Sequence, residues 1–268
     1  MKVKEVIDKI IQECGGIKFE KTCDLIIAGD EESEVTGIVT TFMATVEVIE
    51  QTIDMGANLI ITHEPTYYTG DDRLDWIDED PVYLKKKELI EKNNITIWRF
   101  HDHMHAAPTD MIYDGLMDEL GWRKYLVTDL PFPHVYKIPK TTLRDLVKFF
   151  KVMLEMETIQ IVGNPEMTCE NVGILVGGGS LGLGVEEMPM QFMQKHNLDV
   201  VVCGDIIEWT LTPYIRDAVS FGMNKSMLVL GHERSEEAGM KYLATWIKNL
   251  LDEVSVAFID AKEPFTYL

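Results

Sequence analysis

The 268-residue chain is poor in cysteine, and its four cysteines (Cys14, Cys23, Cys169, Cys203) form no CxxC pair. That excludes a disulfide framework and a recognisable zinc–thiolate motif. No apolar run approaches the roughly 18 residues needed to span a bilayer, which excludes a membrane helix. Basic residues are also scarce, with 25 Lys+Arg against 45 Asp+Glu, a net charge of −20 and a pI near 4.7. Nonspecific binding to nucleic acid or to an anionic membrane is therefore disfavoured. A small anionic substrate stays compatible, because bound cations can reverse the local field. The opening MKVKEVIDKIIQEC lacks the unbroken apolar stretch of a signal peptide, so a mature cytoplasmic protein is expected. There is no Gly-x-Ser-x-Gly elbow, and the glycine-rich GGGSLGLG (177–184) lacks the Gly-Lys-Ser/Thr ending of a P-loop.

What is present reads as an ordinary α/β protein, 46% hydrophobic and long enough for a sizeable core. The opening segment spaces Val3, Val6, Ile7, Ile10 and Ile11 as a helix does. VTGIVTTF, then helical ATVEVIEQTIDMGAN stopping at Gly56, then Asn58–Thr62 make a strand–helix–strand unit with a parallel sheet. A helix over PVYLKKKELIEKNN leads to a third strand, Ile95–Phe100. The second half repeats the plan through strands at Val172–Val176, Asp199–Cys203 and Ser226–Leu230, with helical segments between them. MKYLATWIKNLLDEV is an amphipathic helix and VSVAFID a final strand. The expected organisation is a first α/β half over 1–125, a connecting segment over 126–170 that holds Pro131, Pro133, Pro139 and a helical TTLRDLVKFFKVMLEM, and a second half over 171–268.

Ligand-type residues gather just past the carboxyl ends of these strands, where open parallel sheets bind ligands. His63-Glu64-Pro65 follows one strand, His101-Asp-His103-Met-His105 another, and Gly231-His232-Glu-Arg-Ser-Glu236 a third. Imidazole and carboxylate together suit Zn, Mn, Fe or Co. His232 and Glu236 have the i, i+4 spacing of one helical face. If residues 101–105 continue their strand, His101, His103 and His105 share a face by period 2, although Ala106-Ala107-Pro108 marks its end. Gly177–Ser180 are either a turn that needs unusual dihedrals or a cradle offering amides to an anion. Asp205 is placed to orient a ligand. His134 and His196 fall outside the motifs; His196, at a predicted helix end, suits a partly positive side chain.

GANLIITHEP, HDHMHA and GHERSEEAG, in that order, resemble the NIF-three-like family of dinuclear-metal proteins, whose bacterial members are known as GTP cyclohydrolase I type II homologues. The likeness runs from about Val35 to Val256. It implies two similar βαβ-containing halves packed together with a metal cleft between them, and two divalent transition-metal ions per chain. Carried over by position, the metal ligands are His63, Glu64, His105, His232 and Glu236, with Glu236 a bridging carboxylate. His101, which opens the middle motif, His103 and Asp205 stand as outer residues. Glu64 takes the place of a family histidine and His105 that of an aspartate, so the two ligand types are exchanged and their total is kept. The family's early Asp-Asn-x-Gly-Leu run is reduced here to Cys23-Asp24-Leu25. The resemblance also implies a ring-shaped homo-oligomer, a hexamer.

The expected activity is metal-dependent hydrolysis of a nucleotide or other small phosphorylated substrate. The rival is a non-catalytic metal-binding chaperone or regulator that works through protein partners. An open coordination position and turnover separate the first from the second.

Overall fold

The computed structural model describes residues 1–127 and 132–268; residues 128–131, which fall in the expected connecting segment, lie outside the described part. The chain divides into two compact units, Met1–Gly115 with Gly239–Lys262, and Leu116–Ala238 with Glu263–Leu268. Its elements in order are α1 (Val3–Glu13), β1 (Ile26–Ala28), β2 (Ile38–Thr41), α2 (Val46–Asp54), β3 (Leu59–Thr62), α3 (Pro81–Lys92), β4 (Thr96–Arg99), α4 (Asp102–His105) and α5 (Met111–Leu120). There follow β5 (His134–Thr142), α6 (Leu143–Met153), β6 (Gln160–Val162), β7 (Thr168–Leu175), α7 (Met188–Lys195), β8 (Val200–Cys203), α8 (Leu211–Ser220), β9 (Ser226–Val229), α9 (His232–Leu250) and β10 (Val256–Phe258). Among the described residues no helix is long and apolar enough to cross a membrane.

In the first unit, β2, β3 and β4 pair in parallel, with Ile38 opposite Leu59 and Leu59 opposite Thr96. β10 adds in parallel beside β2 and β1 adds antiparallel beside β4, giving the order β1-β4-β3-β2-β10. Every residue of the three central strands is buried, as expected of parallel strands covered on both faces. Helix starts follow the local chemistry. Thr45 accepts from the Val48 amide, and Asp80 accepts from the amides of Val82 and Tyr83 ahead of Pro81. Gly56, at φ +70°, ends α2 where the sequence places a stop. Val3, Val6 and Ile10 form the buried stripe of α1.

The second unit repeats the arrangement. Parallel β7, β8 and β9 form the centre, and antiparallel β5 and β6 lie at the two edges, in the order β5-β7-β8-β9-β6. Its core packs Leu175, Phe192, Leu198, Val201, Leu211, Ile215 and Met227 together. In each unit the connections between parallel strands place three strand ends side by side, and the ligand-type residues follow those ends.

The loop after β3 is held by two buried cations. Lys86, only 6% exposed, donates to the Thr66 carbonyl at 2.7 Å and lies over the rings of Tyr67 and Tyr68. Arg99 forms a buried ion pair with Asp72 at 3.4 Å and donates to the carbonyls of Cys23 and Gly70. Burial pushes the Lys86 ammonium down to about 8, against an opposing attraction from Asp72. The Lys86 site therefore holds fewer protons in the folded protein than in the unfolded chain between about pH 8 and 10.5, so its own contribution to unfolding free energy rises with pH in that window, while the cysteine thiols, raised from 9, act in the opposite direction. The expected gain is up to about 3 kcal/mol. Denaturant melts of the wild type and Lys86→Met at pH 8 and pH 10 should show it as a gain of the wild type relative to the variant on going to pH 10, the thiol contribution being common to both.

Candidate metal centres

In the first unit, β3 ends at Thr62 and delivers His63, which is fully buried. β4 ends at Arg99, and His101 caps the short helix α4. Residues 101–105 thus do not continue the strand. In a helix, period 2 no longer shares a face; i and i+4 do, which brings His101 and His105 together and turns His103 away. The His63 ring stacks on His101 with centroids 4.5 Å apart, and the His105 ring meets His63 at 5.1 Å and His101 at 4.8 Å. Donor nitrogens of all three lie within 4.8 Å of one another. Glu64 Oε1 is 4.0 Å from His101 Nε2.

One carboxylate organises this turn. Asp24 accepts the backbone amides of His101, Asp102 and His103 at 2.7, 2.8 and 2.9 Å, together with His103 Nδ1 at 2.6 Å. These amides open α4 and have no partners within it, so Asp24 supplies what a local cap does elsewhere. His103 Nε2 faces the Ile17 carbonyl at 2.9 Å, so both its nitrogens are engaged away from the other three rings. Asp110 lies 2.9 Å from His105 Nδ1, and Asp102 lies 3.0 Å from His101 Nδ1. Each holds the Nδ1 side of its histidine, as outer carboxylates do around bound metals. Burial opposes the charge on Asp102, but hydrogen bonds from the Cys23 amide, His101 and Thr22 outweigh it and hold the carboxyl down at about 2.

In the second unit, Gly204-Asp205 follow β8, and His232 starts α9 after Gly231. Asp205 Oδ2 is 2.8 Å from His232 Nδ1, which fits the orienting part expected for it, and His232 Nε2 is 3.1 Å from Glu236 Oε2. Gly177, at φ +48°, lies against this pair. A Cβ there would fall 2.0 Å from Glu236 Oε1 and 2.7 Å from His232 Nε2, so no larger residue fits. The amide of Gly177 donates to Ser235 Oγ at 2.9 Å and that of Gly179 to the Val176 carbonyl. Those two amides are spent inside the fold, and Gly177 serves close packing on His232 and Glu236.

The remaining histidines are placed elsewhere. His134 is buried beside the Tyr136 hydroxyl at 3.1 Å. His196 caps α7 against Phe192; burial, then Lys195, lowers its pKa, contrary to the partly positive side chain expected there. Cys14, Cys169 and Cys203 are buried, with thiols pushed up to about 12, 11 and 12 by burial, so none is primed as a nucleophile.

The Duf34/NIF3 (NGG1p interacting factor 3) family model matches residues 1–264. The chain belongs to that family. Among NIF3 relatives, the GTP cyclohydrolase 1 type 2 homolog of Clostridium perfringens is 25% identical over 281 aligned positions that cover the whole of both chains. A solved hypothetical protein of Staphylococcus aureus superposes with a TM-score of 0.74 at 19% identity, over 100% of this chain and 99% of that one. The Bacillus cereus protein related to NIF3 gives the same TM-score at 16% identity, again over 100% and 99%. These two likenesses establish the NIF3 fold.

The sequence pointed to the histidines of this NIF3 chain and to Asp205, but not to Asp24, Asp110 or Ser235 as supports. Asp24 stands in the reduced early motif, and Asp110 only five residues beyond His105, yet neither has a local pattern that names its partner. Asp24→Ala leaves three amides without their acceptor and should cost about 3–5 kcal/mol. Thermal and denaturant melts check this; a loss below about 1 kcal/mol would refute the organising part given to Asp24.

Proposed function

We propose that this protein binds two divalent transition-metal ions and acts as a hydrolase on a nucleotide or other small phosphorylated substrate. The observation that carries the reading is the convergence of His63, His101 and His105, three imidazoles whose donor atoms lie within 4.8 Å. Imidazoles packed this closely suit a borderline cation such as Zn, Mn, Fe or Co. The donor chemistry therefore fits the group that the family resemblance implies. His63, His101, His105 and Glu64 would hold metal in the first unit, and His232 and Glu236 in the second. His101 moves in this reading from an outer position to a holding one.

Such ions supply a bound water of lowered pKa and an electrostatic partner for charge growing on the attacked group. The residues around them do the rest. Asp110 and Asp205 fix the rings of His105 and His232 through Nδ1, and Asp24 keeps α4 in place. Gly177, having no Cβ, lets the backbone lie against Glu236 and His232. The substrate class follows the name of the Clostridium perfringens relative, a GTP cyclohydrolase 1 type 2 homolog. The same reading places the protein in the cytoplasm, where its four free thiols stay reduced, and in a homohexamer, which light scattering tests.

Elemental analysis of protein purified without added metal should give about two equivalents per chain. His63→Ala/His105→Ala and His232→Ala/Glu236→Ala should each lose at least half. Near-zero metal in the wild type, even after reconstitution, rejects the proposal. Full metal with no turnover across nucleotides and phosphate esters rejects the hydrolase part and favours a binding role. Gly177→Ala should lower metal content as well, while Gly178→Ala, with open space around its Cβ, should leave it unchanged.

A further inference from the structure

Cys23 lies in the loop between α1 and β1, part-exposed, and its surroundings differ from those of the three buried cysteines. Its Sγ is 3.4 Å from Asp102 Oδ1, and the same oxygen is 3.0 Å from His101 Nδ1. The other oxygen, Oδ2, accepts from the Thr22 hydroxyl at 2.8 Å and from the Cys23 amide at 3.0 Å. The carboxylate is thereby pinned with Oδ1 turned to the point where sulfur and nitrogen converge. Sulfur, nitrogen and oxygen donors all lie within 4.8 Å of one another, and each residue is partly open to solvent.

These separations can be set against coordination geometry. A tetrahedral zinc ion, with bonds of about 2.3 Å to sulfur and about 2.0 Å to nitrogen and oxygen, holds sulfur and oxygen about 3.5 Å apart and nitrogen and oxygen about 3.3 Å apart. The distances in the protein, 3.4 and 3.0 Å, lie within a few tenths of an ångström of those values. Without an ion the same contacts are hydrogen bonds from the thiol and the imidazole to Oδ1.

We propose that Cys23, His101 and Asp102 form an additional, thiolate-containing site for a borderline divalent cation such as Zn2+ or Co2+. It is joined to the His63–His105 cluster through the imidazole of His101. Nδ1 of His101 faces this site, and Nε2 lies on the Glu64 side, at 4.0 Å from Oε1. As the sulfur–metal bond forms, the thiol proton leaves to solvent; when ions sit on both sides of His101, its ring N–H proton leaves as well. The site concerns what binds, so it goes beyond the hydrolase reading and does not require turnover.

The test titrates metal-free, full-length protein with Co2+ and follows two spectral regions. Visible d–d bands report any bound Co2+, and a near-ultraviolet band reports thiolate-to-metal charge transfer. The expected result is both in the wild type, with the near-ultraviolet band lost in Cys23→Ser while d–d bands from the histidine-held ions persist. In parallel, alkylation of Cys23 in the wild type, read by peptide mass spectrometry, should slow at least about tenfold on adding Zn2+, because metal-held sulfur is withdrawn as a nucleophile. That arm needs no variant to fold. A d–d spectrum without the near-ultraviolet band, an unchanged alkylation rate, or a band that survives in Cys23→Ser overturns this site alone. No Co2+ uptake at all rejects the histidine-held ions too.

Discussion

Parallel strands deliver all their carboxyl ends to one edge of a sheet, and the chemistry of this protein depends on that constraint. β2, β3 and β4 in one unit, and β7, β8 and β9 in the other, are paired in parallel and joined through helices. Residues that follow strand ends are then neighbours in space although tens of residues apart in sequence. His63 follows β3 and His101 follows β4; Asp205 follows β8 and His232 follows β9. The pairing at 2.8 Å of Asp205 with His232 is the counterpart, in the second unit, of the stacking of His63 on His101 in the first. A metal centre on such an edge needs no dedicated scaffold beyond the strand register.

The edge alone does not aim the side chains. In the first unit, buried charge does so, since Asp24 binds three consecutive amides and Arg99 ties the carbonyl of Cys23 to the end of β4. Asp24 and Arg99 thus hold the chain on the two sides of the His101 turn. Buried charges stay favourable only when they are fully hydrogen-bonded, and each of these meets several partners. In the second unit the equivalent work falls to backbone packing. Gly204 lies so close to Gly177 that a Cβ would meet its amide nitrogen at 2.4 Å, and Gly177 in turn rests on Glu236 and His232. The first unit positions its ligands with buried ions, the second with the Asp205 carboxylate and close-packed glycines.

The central parallel strands were legible because buried β-branched runs, helical spacing and strand-end motifs repeat in the same sequence order, whereas the place of β10 beside β2 in the first sheet was not. The i, i+4 spacing of His232 and Glu236 was legible too, because both lie on α9. The geometry of residues 101–105 was not. Alternate histidines suggest a strand, and the cap that makes the segment helical comes from Asp24, 77 residues away from His101. No window of sequence contains both. The same limit hid the use of the Gly177 amide, whose partner Ser235 lies 58 residues further on. The edge strands β1, β5 and β6 carry no alternation that names their neighbours, since an antiparallel edge is specified by what it covers.

Donor type also bears on which ion such a protein selects. A net charge of −20 concentrates cations of every kind near the surface, so long-range attraction cannot discriminate among them. Discrimination has to come from the first atoms an ion meets. At the proposed site of the first unit those would be three imidazoles and one carboxylate, a nitrogen-rich set. Mg2+ and Ca2+ prefer oxygen and hold their waters, so they compete poorly there in spite of their abundance. Zinc, iron and cobalt accept nitrogen readily. In the second unit, the single imidazole of His232 beside Glu236 is a more oxygen-rich start, so a loss of nitrogen donors in the first unit should relax metal selectivity more than the same loss in the second weakens total binding.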